Sequence, residues 1–290
     1  MAKGVKLSDT LVDVIINNYK NKKSPYWMVE NIEELKNVRP SVIYGILKRE
    51  GVKSNRRIVL TEEQRKSRRK YNLNDDYFEN IDSADKAYWL GFIMADGWIT
   101  DTEDKVGITL SIKDLGHLEK FKNSISASAP INTYTQTAGY AAGKEYCRIV
   151  LTSKKLKNDL INHGVVVQKT NVLKFPKHVD EKYYIDIIRG YFDGDGSITY
   201  GSIQKCGDLN FNIKITGTHN VVSAIQSILN VKSVVHQRHK DRNVDNWTMT
   251  IGGNKKVYSI LNSFYEDSNI YLDRKHDIYL KLKQQIHCRL

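Results

Sequence analysis

Two carboxylates, Asp96 and Asp195, close two segments of closely similar wording. The first reads Tyr88-Trp89-Leu90-Gly91-Phe92-Ile93-Met94-Ala95-Asp96-Gly97. The second reads Ile187-Ile188-Arg189-Gly190-Tyr191-Phe192-Asp193-Gly194-Asp195-Gly196. Each is an apolar run that ends in Asp-Gly. Such an internal duplication predicts two half-domains that bring two acids together. Converging carboxylates, completed by waters and phosphate oxygens, suit Mg²⁺, which needs few protein ligands; Mn²⁺ is the expected substitute. Phosphodiester hydrolysis is chemistry that carboxylate-held divalent ions can support.

The acids require elements that place them. Read as helices, the two runs put Gly91 and Ala95 on one face and Gly190 and Gly194 on another, each pair one turn apart. Small residues at that spacing let two helix backbones approach closely. The large apolar residues around them predict buried helices. Gly97 and Gly196 follow as expected left-handed caps, with Asp96 and Asp195 at the helix C-termini. A helix end disfavours a carboxylate by roughly 0.3–1 kcal/mol, and two such ends repel each other. A divalent cation reverses that sign. Whether the backbone at Ala95 adds a ligand is left open by the sequence.

The duplication continues beyond the helices. After the first motif comes an alternating strand over Val106–Ile112, a helix near Leu115–Ile125, strands near Ile131–Thr135 and Tyr146–Thr152, and a helix over Lys155–Asn162. The second copy repeats the order with a strand at Leu209–Thr216, a helix at Asn220–Leu229, strands near Val234–Arg238 and Trp247–Ile251, and a helix at Lys255–Tyr265. Each half is read as αββαββα, an α+β class, one strand more than the elements placed here. The boundaries expected are a helical module over 1–52, a basic linker over 53–79, a first half-domain over 80–179 and a second over 180–290. In the module, Ser8 caps a first helix, Val29–Leu35 reads as a second, and Pro40 opens a third that Gly51 stops. Its third helix ends in Lys48 and Arg49, an arrangement that resembles a helix-turn-helix.

The two motifs resemble the signature helices of the LAGLIDADG homing endonucleases. Gly91, Ala95, Asp96 and Gly97 match the first copy; Gly190, Asp193, Asp195 and Gly196 match the second. The resemblance covers roughly residues 80–290. It implies two tandem half-domains with pseudo-twofold symmetry and a saddle of antiparallel sheets. It also implies a single-chain, monomeric, site-specific endonuclease that makes a staggered double-strand break in DNA with Mg²⁺, in a mobile element that homes into its target. Asp96 and Asp195 would be its metal ligands. By the same resemblance Lys169 and Lys275 would polarise the attacking water or stabilise developing charge. Ser111 and Lys214, read as equivalent strand positions, would orient water, with Ser111 the shorter and the weaker of the two. RNA maturases that assist intron splicing, and regulators that have lost cleavage, use the same fold and form the alternative, with intron RNA as partner.

The chain has 290 residues and a formal net charge of +12, which favours a polyanionic partner through counterion release. Arg56, Arg57, Arg68 and Arg69 in the linker are candidate phosphate contacts. On the strands, Gln136, Arg148, Gln204, Lys205, Lys214, Gln237, Arg238 and Lys240 are candidate readers of a long asymmetric duplex site, since a two-stranded ribbon fits the major groove. The three cysteines, Cys147, Cys206 and Cys288, lack the spacing of a zinc site or disulfide framework. No membrane span or apolar signal core is visible, so a cytoplasmic location is expected, with an organelle left open.

Overall fold

The computed structural model describes residues 7–52, 66–167, 171–202, 209–238 and 244–288. The chain forms two compact units, Met1–Arg68 and Arg69–Leu290.

The first unit holds three helices around one small core. Helix α1 (Asp9–Lys20) is capped by the Ser8 side chain, which accepts from the Leu11 amide. Helix α2 (Pro25–Asn31) starts earlier than the sequence pattern suggests, because Ser24 caps it and Pro25 fills its first position. Ile32 is extended and ends it, leaving Glu33–Leu35 as a short 3₁₀ turn. Helix α3 (Pro40–Arg49) follows. Gly51 takes a positive φ of 69° just beyond it. Ile15, Tyr19, Met28, Leu35, Ile43, Ile46 and Leu47 are buried together.

The second unit contains the duplication. Its first half runs α4 (Ala84–Asp96), β1 (Gly97–Ile99), β2 (Lys105–Ser111), α5 (Leu115–Ser124), β3 (Asn132–Thr135), β4 (Glu145–Thr152) and α6 (Lys154–Asn162). Its second half runs α7 (Tyr184–Asp195), β5 (Gly196–Ser202), β6 (Leu209–Gly217), α8 (His219–Ile228), β7 (Val234–Gln237), β8 (Trp247–Gly252) and α9 (Asn254–Tyr265). Each half is thus αββαββα, and an additional helix, α10 (Asp273–His287), follows the second. The two antiparallel sheets share one strand order, β1-β2-β4-β3 and β5-β6-β8-β7. Alternate residues such as Val106, Ile108 and Leu110 on β2, and Phe211, Ile213 and Ile215 on β6, enter a shared core. The other face of each sheet carries the polar set.

The core reaches further towards the N-terminus than the expected linker boundary. Tyr77 and Phe78 are buried in it. Arg69 makes two 2.9 Å hydrogen bonds to the buried Asp75 carboxylate, which also accepts from Ser153. Residues 69–79 therefore belong to the body of the second unit.

Helices α4 and α7 cross with their backbones in contact. A methyl group at Gly91 would lie 2.0 Å from the Ile187 carbonyl oxygen, and one at Gly190 would lie 1.9 Å from the Tyr88 carbonyl oxygen. Gly194 gives its space to the Ala95 methyl, 2.3 Å from where its own would be. The small residues thus do what their spacing predicts.

The caps differ from expectation. Gly97 (φ −74°) and Gly196 (φ −89°) are extended, and each starts a strand with no left-handed turn. Glycine is needed there for space. A methyl at Gly97 would strike Ile93, and one at Gly196 would sit 2.2 Å from the Phe192 ring.

Candidate active site

The crossing places both acids at one end of the helix pair. Asp96 closes α4 and Asp195 closes α7. The Asp96 carboxylate lies 3.2 Å from the space beside Gly194, the residue before Asp195. Both acids act on the same two groups, raising Tyr191's hydroxyl pKa and opposing the loss of the Lys275 proton. The sequence-predicted pair is therefore brought together. Asp195 is exposed and Asp96 half-buried.

Beneath them lies Lys275, at the start of α10 and only 2% exposed. Its ammonium donates to the carbonyl oxygens of Phe192 (2.5 Å), Asp193 (2.8 Å) and Gly196 (2.6 Å). These carbonyls end α7, so a full positive charge sits on the negative pole of the helix that carries Asp195. Burial pulls the lysine pKa down to about 8, against the opposing field of Asp193. With three protons committed to three carbonyls, Lys275 supports the acid from below. That differs from the expected contact with an attacking water. Its expected counterpart, Lys169, lies outside the described residues.

Asp193 is fully buried and accepts from the hydroxyls of Tyr88 and Tyr265, each at 2.7 Å, and from the Leu272 amide at 2.8 Å. Desolvation raises its pKa. Tyr88 belongs to the first half and Asp193 to the second, so this contact ties the halves together. The Tyr88 proton is given to Asp193, so the 3.0 Å contact with His117 Nε2 requires that nitrogen to carry the proton and donate. His117 Nδ1 is then a buried acceptor without a hydrogen-bond partner. Desolvation brings this imidazole's pKa down to about 3, so it is neutral. None of Tyr88, His117 or Tyr265 stood out in the sequence. Asp193 inside an apolar run was the available signal, because a buried carboxylate demands donors.

The strand register corrects the assignment of Ser111 and Lys214. Gly97 faces Ile108 in the first half, and Gly196 faces Ile215 in the second. One step on, Trp98 faces Gly107 and Ser197 faces Lys214. Lys214 therefore corresponds to Gly107. The place of Ser111, three residues past Ile108, is taken in the second half by Thr218. The hairpin connecting the first two strands is longer in the second half, which shifted the alignment of the two sequences.

Among candidate nucleic-acid contacts, Arg148 is exposed on the outer face of β4, 5.5 Å over the Tyr134 ring, and Tyr134 stacks on Tyr146. Lys214 is exposed on β6, Arg238 just past β7, and Arg68 at the end of the first unit. Arg69 is spent on Asp75, with its side chain only 11% exposed, which removes it from the candidates. Gln136 and Gln237 are half-buried and donate to the Ala138 and Val244 carbonyls. Arg56, Arg57, Gln204, Lys205 and Lys240 lie outside the described residues.

Among the described residues no group of three or more His, Cys, Asp or Glu side chains forms a metal cage, and no helix is long and apolar enough to cross a membrane. A cage is not what Mg²⁺ requires. Two converging carboxylates, one of them open to solvent, are a donor set that fits a hard cation sharing its shell with phosphate and water.

No family model and no curated protein sequence matches the chain. Solved structures do. The meganuclease I-SmaMI bound to uncleaveable DNA is 13% identical over 68% of this chain and 87% of its own, with a TM-score of 0.47. The LAGLIDADG homing endonuclease I-GzeII in complex with its DNA target is 11% identical over 70% and 91%, with a TM-score of 0.48. The LAGLIDADG homing endonuclease I-LtrWI bound to target DNA is 12% identical over 74% and 92%, with a TM-score of 0.46. Values this low transfer no residue role to this chain.

Proposed function

We propose that the chain is a site-specific DNA endonuclease that hydrolyses one phosphodiester bond in each strand of a duplex. The observation that carries this reading is the convergence of Asp96 and Asp195 at the ends of two backbone-contacting helices. Two antiparallel strands of a duplex are related by near-twofold symmetry, and so are the two halves that hold the acids. A net charge of +12 supports a polyanionic partner. The exposed Arg148 and Lys214 lie on the outer sheet faces, where duplex would be read.

Asp96 and Asp195 would hold Mg²⁺, with Mn²⁺ as a substitute; the ion would supply charge neutralisation on the phosphate and an activated water. The protein's own part is positional. The α4–α7 crossing fixes the spacing of the acids. Lys275 makes the end of α7 tolerable for a carboxylate, and the Tyr88–Asp193–Tyr265 lock keeps the halves in register. In the reaction a water oxygen bonds to phosphorus and gives up a proton to solvent, while the P–O3′ bond breaks and O3′ takes a proton from solvent to leave as a hydroxyl. Staggered cuts follow from two centres that meet the strands at different positions along the groove. A fused pair of halves lets one monomeric chain read an asymmetric site. The small helical unit exposes Lys48 and Arg49 at the end of α3 and would add phosphate contacts of its own.

The test is cleavage of a plasmid bearing the uninterrupted insertion site of the chain's own gene, with Mg²⁺ and with EDTA. Mg²⁺-dependent linearisation at one position is the expected result. Binding without cutting would replace this reading with a maturase or regulator.

A further inference from the structure

We propose that the two halves of the centre are unequal. The half around Asp195 is equipped to cut first, and the half around Asp96 is restrained by the indole of Trp98. This rests on the endonuclease reading.

Three differences point the same way. The first lies on the sheet face next to each acid. Two residues past Asp195, Ser197 faces Lys214, and both are exposed. Side chains paired across antiparallel strands lie on one face about 5 Å apart, so Lys214 shares a sheet face with the residue two past this acid. At the matching place in the first half, Trp98 faces Gly107. Its indole covers that glycine, 2.2 Å from where a methyl group would be, and its Nε1 donates to Thr109 Oγ1 at 3.3 Å. A cation at 107 has no room unless the indole leaves.

The second difference is on the helices. Tyr191 follows Gly190 and Phe92 follows Gly91. The Tyr191 hydroxyl is in hydrogen-bonding reach of both Asp195 and the Thr216 carbonyl, the latter at 3.0 Å, and can give its one proton to either. Phe92 offers Asp96 no such group. The third is access. Asp195 is exposed and lines a cavity of about 260 Å³ with Tyr191, Thr216 and Asp245. Asp96 is half-buried.

A fixed cation beside a phosphate undergoing substitution lowers the barrier by holding charge as it develops, an effect of roughly 10²-fold for one such group. The centre with Lys214 therefore acts first, and the duplex passes through a nicked form.

The experiment uses a supercoiled plasmid carrying a duplex selected by this protein from a randomised library, with the two strands labelled separately. The wild type should accumulate nicked circles before linear product, one strand being cut roughly 10²-fold faster. Lys214→Gly should slow only that strand, and Lys214→Arg should restore it in part. Trp98→Ser with Gly107→Lys should speed the slow strand and shorten the life of the nicked form. Equal strand rates in the wild type, or Lys214→Gly slowing both strands alike, would overturn the asymmetry while leaving the nuclease intact. No cleavage of any selected duplex would overturn the nuclease reading itself, and this proposal with it.

Discussion

Single residues carry the heaviest constraints in this molecule. Gly91 and Gly190 each abut a carbonyl oxygen of the other helix, and a backbone atom cannot rotate aside as a side chain can. Gly190→Ala should therefore destabilise by about 3 kcal/mol or more, a large overpacking effect, read as a lowered midpoint in denaturant unfolding. Gly45→Ala in α3, with open space around it, is the control and should be neutral or slightly stabilising. His117 makes a second residue-scale prediction. The unfolded imidazole takes up a proton near pH 6.5, whereas the folded one refuses it until about pH 3. The unfolded state thus binds more protons between those values, so stability falls as pH falls through that window. His117→Phe should flatten the acid limb of the stability curve between pH 6.5 and 3, measured by unfolding across pH. An unchanged slope would mean that His117 is not the group that resists protonation.

At the scale of elements, much of the architecture was legible from periodicity. Apart from β1 and β5, which the sequence pattern does not mark, the strands of both halves and the helices that follow them fall within a residue or two of their expected bounds, because alternating apolar residues on β2 and β6 and the small-residue spacing on α4 and α7 are strong local signals. The caps depart from the sequence pattern for a physical reason. An Asp-Gly after a helix usually needs φ freedom, whereas here the glycines avoid a collision with Ile93 and Phe192. Sequence spacing hides the pairing partners because the two hairpins differ in length, and only register shows that Lys214 stands opposite Ser197. Helix α10 and the buried Lys275 were illegible in their roles. The resemblance implies a lysine facing the attacking water or the developing charge, whereas three carbonyls at the end of α7 hold it in the interior. Of the site, the two acids could be read; the groups that make their position tolerable could not.

At the scale of the whole molecule, duplication, charge and asymmetry act together. Two halves of one topology place one acid each at a common point, and the net charge of +12 favours a polyanionic partner. The departures from symmetry, Lys214 against Gly107 and Tyr191 against Phe92, lie on the helices that carry the acids and on the strand pairs that follow them. The central claim is that Asp96 and Asp195 do the cutting and that the sheets do the binding. The measurement that tests it most directly is a parallel assay of affinity and cleavage on one selected duplex, for the wild type, Asp96→Asn and Asp195→Asn. Both variants should keep the wild-type affinity in EDTA within a few-fold and lose double-strand cleavage in Mg²⁺. Double-strand breaks at the wild-type rate from either variant would contradict the account.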